Sequence, residues 1–109
     1  MVTVKHLDDI EIHEPGAKDD GFKPRMDLVL GGFANALWEV VKVGTYGANK
    51  YSDNGWKLVP NGVERYGNAM LRHYFKYKKG EFIDKESDKL HLAHMAWNAL
   101  AILELTLKD

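Results

Sequence analysis

Apolar residues in this chain recur at helical spacing in three places. Leu30, Phe33, Ala34, Leu37, Trp38 and Val41 follow one another at intervals of three and four, the stripe of an amphipathic helix. Asp27 stands where an N-cap belongs. Gly31 and Gly32 weaken the first turn by about 1 kcal/mol each relative to alanine, and Gly44 and Gly47 mark the expected end. A second stripe, Val63, Tyr66, Met70, Tyr74 and Tyr77, opens near Asn61 and is closed by Gly80 after Lys78 and Lys79, cations that suit a helix C-terminus. The third stripe is Leu90, Ala93, Ala96 with Trp97, Leu100, Leu103 with Glu104, and Leu107. Ser87 or Asp84 is positioned to cap this helix, which runs without glycine or proline to about Thr106.

The intervening segments carry other signals. Residues 47–62 read as a loop and residues 81–86 as an acidic connection. Val2, Val4, Leu7, Ile10 and Ile12 suit a short extended segment, after which Pro15, Gly16, Gly21 and Pro24 break any regular element. The expected architecture is all-α: an irregular N-terminal arm over residues 1–26, then one domain of three main helices over residues 27–109. Three helices enclose little core. Trp38, Tyr74, Trp97 and the second apolar stripe of the last helix call for more cover than one subunit gives, so a homo-oligomer is expected, a dimer or tetramer that completes a helical bundle.

Composition narrows the function classes. A length of 109 residues suits one domain. Fifteen basic against sixteen acidic residues give a net charge of −1, which argues against a broadly cationic binder of nucleic acid polymers. The chain has no cysteine, so disulfides, thiolate metal sites and cysteine nucleophiles are excluded, and a cytoplasmic home fits. The most apolar stretch, Val29 to Val43, is interrupted by Asn35, Glu39 and Lys42, so no membrane role is expected. The N-terminus has no long apolar run of the kind an export signal needs. P-loop, dinucleotide-fold and serine-hydrolase motifs are missing.

Four polar clusters remain as candidates. Glu81-x-x-Asp84-x-Glu86 precedes His91-x-x-His94, and His91, His94 and Asn98 share one helix face. Two imidazoles one turn apart, with carboxylates just before them, can hold Mg²⁺, Mn²⁺, Co²⁺ or Zn²⁺; from the spacing alone, the more common reading is a solvated acidic turn with hydrogen-bonded packing histidines. Arg72-His73 offers a guanidinium fork matched to phosphate, or a salt bridge to a neighbouring helix. Lys23-Pro24-Arg25-x-Asp27 sets two cations at a helix start, a phosphate site or a solvated basic turn. Lys50-Tyr51 and Trp56 stand in a polar loop, where aromatic rings and a cation can hold a base and a phosphate, or where Trp56 simply anchors the loop.

In order along the chain, Lys23-Pro-Arg25-x-Asp27-Leu28, Gly47-Ala-x-Lys50-Tyr51 with Trp56, Arg72-His73, Gly80-Glu81-x-x-Asp84-x-Glu86-Ser87 and His91-Leu-Ala-His94-x-Ala-Trp97-Asn98 resemble the phage-associated dATP/dGTP diphosphohydrolase N-terminal-type domain, akin to MazG-like all-α nucleotide pyrophosphatases. The resemblance runs from about Gly16 to Leu105, with two departures. Gly55 intervenes between Asn54 and Trp56, where the family usually joins Asn to Trp. Asp88 follows Ser87 where the family usually has glycine, which adds a carboxylate near the metal candidates. MazG-like enzymes typically carry Glu-x-x-Glu on one helix and Glu-x-x-Asp on the next; here only Glu81-x-x-Asp84 has such spacing.

The resemblance implies a metal-dependent hydrolase that cleaves deoxynucleoside triphosphates, purines favoured, to monophosphate and pyrophosphate, in phage nucleotide-pool control within the host cytoplasm. It implies a divalent cofactor, Mg²⁺ or Mn²⁺, held by Glu81, Asp84, His91 and His94. Catalytic roles fall to His73, Glu81 and Asp84, with His73 a further ligand or an acid/base group. Substrate binding falls to Lys23, Arg25, Lys50 and Arg72 for phosphate and to Tyr51 and Trp56 for the base. Two alternatives of other classes stand beside this one: a non-catalytic protein that binds or sequesters a nucleotide, and a small helical adaptor for another protein.

Overall fold

The computed structural model describes residues 14–108. The expected extended segment from Val2 to Ile12 lies outside the described residues. The chain divides into two compact units at Gly32/Phe33.

Among the described residues, the first unit contains one short helix, α1 (Asp27–Leu30). Asp27 is not its N-cap. Met26 holds that position without a side-chain bond, and Asp27 is the first helical residue, paired with Arg25 at 2.8 Å. The single long helix expected from Asp27 onward is therefore two helices.

The second unit holds three helices of equal length, α2 (Ala34–Lys50), α3 (Gly62–Lys78) and α4 (His91–Leu107), with a 3-10 turn at Gly55–Leu58. The main architecture is all-α, as its sequence pattern indicates. α2 runs straight through Gly44 and Gly47 and ends at Lys50. Gly44 is a contact residue rather than a stop: a Cβ there would come within 3.3 Å of the Trp97 indole nitrogen, so its missing side chain lets α4 approach α2. Gly62 does the same for α3, where a Cβ would meet Leu105 of α4 at 2.9 Å.

The link between α3 and α4 places the chemistry. Gly80, at φ +100°, ends α3. Its N–H donates to the Tyr77 carbonyl, and the Glu81 N–H donates to the Lys76 carbonyl, the paired bonds of a glycine-terminated helix. A two-stranded antiparallel ribbon follows, β1 (Ile83–Asp84) with β2 (Lys89–Leu90), where an acidic loop was expected. Asp88 closes its turn at φ +61°, its N–H donating to the Asp84 carbonyl at 2.8 Å. This left-handed conformation is one that favours glycine. Asp88 is exposed. Leu90, extended, is the N-cap of α4, without a side-chain cap; Ser87 and Asp84 bond inside the ribbon instead. α4 therefore returns antiparallel to α3 and begins one residue after the ribbon.

The interior is unusual in what it holds. Among the described residues, the buried apolar side chains are Val43, Ala93 and Ala101, and the buried polar ones are Ser87, His91 and Asn98. His91 is completely buried. Large apolar side chains lie outside, among them Trp38, Val41, Leu71, Phe75, Leu100, Leu103 and Leu107.

Candidate functional site

The first turns of α4, the ribbon and the last half of α3 bring five titratable side chains together. The Nδ1 atoms of His73 and His91 are 2.8 Å apart. The other nitrogen of His91, Nε2, lies 2.7 Å from a Glu81 carboxylate oxygen. A carboxylate only accepts, so His91 donates Nε2–H to Glu81, and its Nδ1 presents a lone pair toward His73. On the other side, Ser87 donates its hydroxyl and its N–H to Asp84 Oδ2 at 2.7 and 3.0 Å. With its proton so committed, the hydroxyl accepts from His94 Nε2 at 2.6 Å. His94 stacks on His73, with ring centroids 4.3 Å apart and planes 7° from parallel.

Electrostatics follows from this crowding. Burial pushes His73 down to about 4, and the neighbouring His94 and His91 add to the cost of charging it. Burial also lowers His94, against the pull of Asp84. Burial opposes ionisation of Asp84, but the two bonds from Ser87 and the nearby histidines bring it net below the usual carboxylate range. The hydrogen bond from His91 lowers Glu81. At neutral pH the site holds neutral His73 and His94 beside ionised carboxylates, the donor set a cation requires.

Donor atoms of His73, Asp84 and His91 all lie within 4.8 Å of one another. Two ring nitrogens bound to one ion stand about 3 Å apart at ordinary metal–nitrogen lengths, close to the spacing found here. Glu81 stands behind His91, gripping the nitrogen opposite the lone pair. That is where a carboxylate orients a ligating imidazole and raises its basicity. The residues present fit a divalent ion. His73, expected as a further ligand or an acid/base group, stands at the centre of this cluster. Glu81 and His94, expected as ligands, stand beside it.

A cleft of about 1140 Å³ opens beside the cluster, and His73, Asp84 and His94 line it. Arg72 lines it as expected, and so do Lys50, Tyr51 and Trp56. Lys50 is ion-paired to Glu86 across the opening, which holds it charged above its ordinary range. Tyr51 is exposed and lies under the Lys50 ammonium at 5.2 Å. Trp56 is packed edge-on against Tyr66 and Trp97, at 6.2 and 5.5 Å between centroids, and its carbonyl accepts from the Tyr66 hydroxyl at 2.7 Å. It anchors the loop and lines the cleft at once. Lys23 and Arg25 belong to the first unit, where Arg25 is engaged with Asp27.

Several cleft residues were not anticipated. Arg65 and Lys76 line it with Arg72. The spacing 65, 72, 76 was a readable signal, because it puts all three cations on one face of α3. Tyr66 reads in the sequence as part of an apolar stripe, and Trp97 as part of a stripe and of the resembling motif, neither as a cleft residue. Ser87, which ties Asp84 to His94, reads in the sequence as a helix cap and a motif position, not as a link between site residues. Asn98 carries two sequence signals, its place on the histidine face and its place at the end of the resembling motif, but neither gives it a role.

No curated protein and no solved structure matches the chain. Residues 13–109 match the family model described as dATP/dGTP diphosphohydrolase, N-terminal.

Proposed function

Since the chain belongs to the dATP/dGTP diphosphohydrolase N-terminal family, we propose that its cleft binds a deoxynucleoside triphosphate, purines favoured, and hydrolyses it between the α and β phosphates. Water adds to phosphorus, the α–β bridging bond breaks, and monophosphate and pyrophosphate leave. The observation that carries this reading is the placement of His73, Asp84 and His91 within ligand distance of one another beside a cleft that α3 lines with Arg65, Arg72 and Lys76.

His73, Asp84 and His91 would hold one divalent cation, which when bound neutralises phosphate charge and makes a water acidic. A set of two imidazoles and one carboxylate suits Mn²⁺, Co²⁺ or Zn²⁺ better than all-oxygen Mg²⁺. Glu81 fixes the tautomer of His91. Ser87 holds Asp84 and His94 in register. Arg72 and Lys76 bind the departing phosphates, where fixed cations stabilise charge that grows as the bridging bond breaks. Lys50 would exchange Glu86 for a phosphate oxygen. The Trp56–Tyr66–Trp97 group would flank the base: Tyr66 and His73 are seven residues apart on α3, about 10 Å, which is the reach of a nucleotide from base to phosphates.

A second copy of the chain would cover the outer face of α4. Leu92, Ala96, Ala99, Leu100, Leu103 and Leu107 share that face, and Glu104 is the only Asp, Glu, Lys or Arg in the helix. An apolar face of that breadth belongs inside an assembly. No described helix is long and apolar enough to cross a membrane. A standard interface buries about 800 Å² per partner. The exposed leucines of α4, with Leu71 and Phe75 of α3 and Trp38 and Val41 of α2, present roughly 100 Å² apiece and supply that area. A role in the nucleotide pool places the protein in the cytoplasm, the host's if it is phage-encoded.

The test is an end-point assay with each common dNTP and NTP, with Mn²⁺ or Mg²⁺ and with EDTA, products resolved by anion exchange. The expected result is release of monophosphate and pyrophosphate from purine dNTPs, dependent on metal and lost in Asp84→Asn and His73→Ala. Intact nucleotides at high protein concentration overturn it. Tight binding without turnover would mark a sequestering protein instead.

A further inference from the structure

Asn98 sits in α4 one turn after His94, next in sequence to Trp97, and it lines the cleft. Its side chain is about nineteen-twentieths buried, at 5% exposure. One half of the amide is committed: Nδ2 donates to the His94 carbonyl at 2.8 Å. A carbonyl accepts and cannot donate, so the half turned back along the helix is the NH₂ group, and the oxygen faces the other way. Among the described residues, that oxygen has no hydrogen-bond partner. A buried acceptor left unpaired destabilises a fold, and an apolar residue of similar volume would serve the packing better. The neighbours on its helix are the two features assigned to the two ends of a nucleotide, the histidine cluster and the aromatic group.

Resting on the nucleotide-binding reading, we propose that Asn98 determines base specificity: its Oδ1 accepts a hydrogen bond from the exocyclic amine of the base, and its second N–H donates to the adjacent ring nitrogen. Adenine offers that pair, an amine donor beside a nitrogen acceptor, on each of two edges, guanine offers it at its 2-amine beside N3, and an asparagine amide complements it. Thymine and hypoxanthine have no exocyclic amine, and a carbonyl oxygen set against the Asn98 oxygen would oppose two acceptors. The oxygen is tied to the helix through its own amide and does not rotate away without breaking the bond to His94. Discrimination therefore comes from an acceptor held in place, and analogues lacking the donor leave it unpaired.

The experiment uses the α,β-methylene analogues of dATP and of dITP, which carry no cleavable α–β bridge, titrated calorimetrically in Mn²⁺ into the wild type, Asn98→Leu and Asn98→Ala. Tripolyphosphate is titrated as a base-free probe. The wild type is expected to bind the adenine analogue at least tenfold tighter than the hypoxanthine analogue. Both variants are expected to bring that ratio close to one while tripolyphosphate affinity stays within about twofold. Asn98→Leu keeps the volume of the side chain, and the ratio within each variant is read independently of its stability. A ratio near one in the wild type, or a tenfold ratio surviving in both variants, overturns the assignment. A ratio that collapses in the variants, in a protein that never turns over dATP, supports Asn98 and removes the diphosphohydrolase reading. Turnover of dATP with a ratio indifferent to Asn98 does the reverse. If none of the three probes binds the wild type, both readings fall.

Discussion

The two sides of α4 invert the usual rule of protein interiors. The side turned toward α3 and the ribbon buries His91 and Asn98 and keeps His94 largely covered. The opposite side exposes Leu100, Leu103 and Leu107 at 49, 53 and 69%. Burying polar groups costs free energy unless each finds a partner, and exposing leucine forgoes stabilisation that burial would supply. A fold that does both on one helix is arranged for something other than its own stability as a single chain. The inner side answers the cost with a chain of bonds, His73 to His91 to Glu81 and His94 to Ser87 to Asp84. The outer side has no answer within the described chain. The inner side is thus the proposed site, and the outer side is the face on which we propose an interface.

The largest effect should come from breaking the inner side. His91→Ala removes a completely buried ring that holds both His73 and Glu81. It leaves a cavity and strands two polar partners, a loss of about 3 kcal/mol. Urea denaturation of the metal-free protein measures it. Mn²⁺ should raise the midpoint of the wild type and leave that of His91→Ala unmoved, because binding to the native state alone stabilises it. A midpoint within experimental error of the wild type would show that the histidine network is decoration.

Leu103→Glu probes the outer side. On an isolated subunit an exposed leucine replaced by glutamate costs less than about 0.5 kcal/mol. In a pair seamed along α4 it sets a charge into an apolar contact. The mass measured by light scattering should then fall to that of one chain at micromolar concentration. A wild type that is already monomeric would remove the interface, and the exposed leucines would need another partner.

The two sides were unequally legible in the sequence. The helices were readable because stripes at spacings of three and four report directly on which face is covered. Gly80 was readable as a stop because its left-handed conformation is what terminates α3. Gly44 misled, since a glycine that ends a helix and one that lets a tryptophan approach look the same in one dimension. The ribbon was missed because two-residue strands carry no alternation to detect. His91 and His94 stood out by type and spacing. Their partners did not: that His73 meets His91 and that Ser87 links Asp84 to His94 depends on the antiparallel return of α4 after the ribbon. The apolar outer side was fully legible, because excess hydrophobicity is a property of the sequence whatever covers it.

The smallest effect separates the two sides by pH. His73 titrates near 4 in the folded protein and near its ordinary value of 6.5 when unfolded. Between these values the unfolded chain binds more protons than the folded one, so stability falls as pH falls from about 6.5 toward 4. His94, lowered as well, adds to the loss in the same direction. Asp84 and Glu81, also held below their ordinary values, contribute stability that disappears only at lower pH, as they become protonated. Melting curves in EDTA should therefore show one decline in Tm between about pH 6.5 and 4 and a second below about 4.5. His73→Leu should flatten the first while Leu103→Glu leaves it in place. Adding Mn²⁺ should steepen the first, because protons and the cation compete for the same ring nitrogens. A Tm independent of pH across the first window would mean that His73 is solvated rather than buried, and the contrast between the two sides of α4 would lose its electrostatic half.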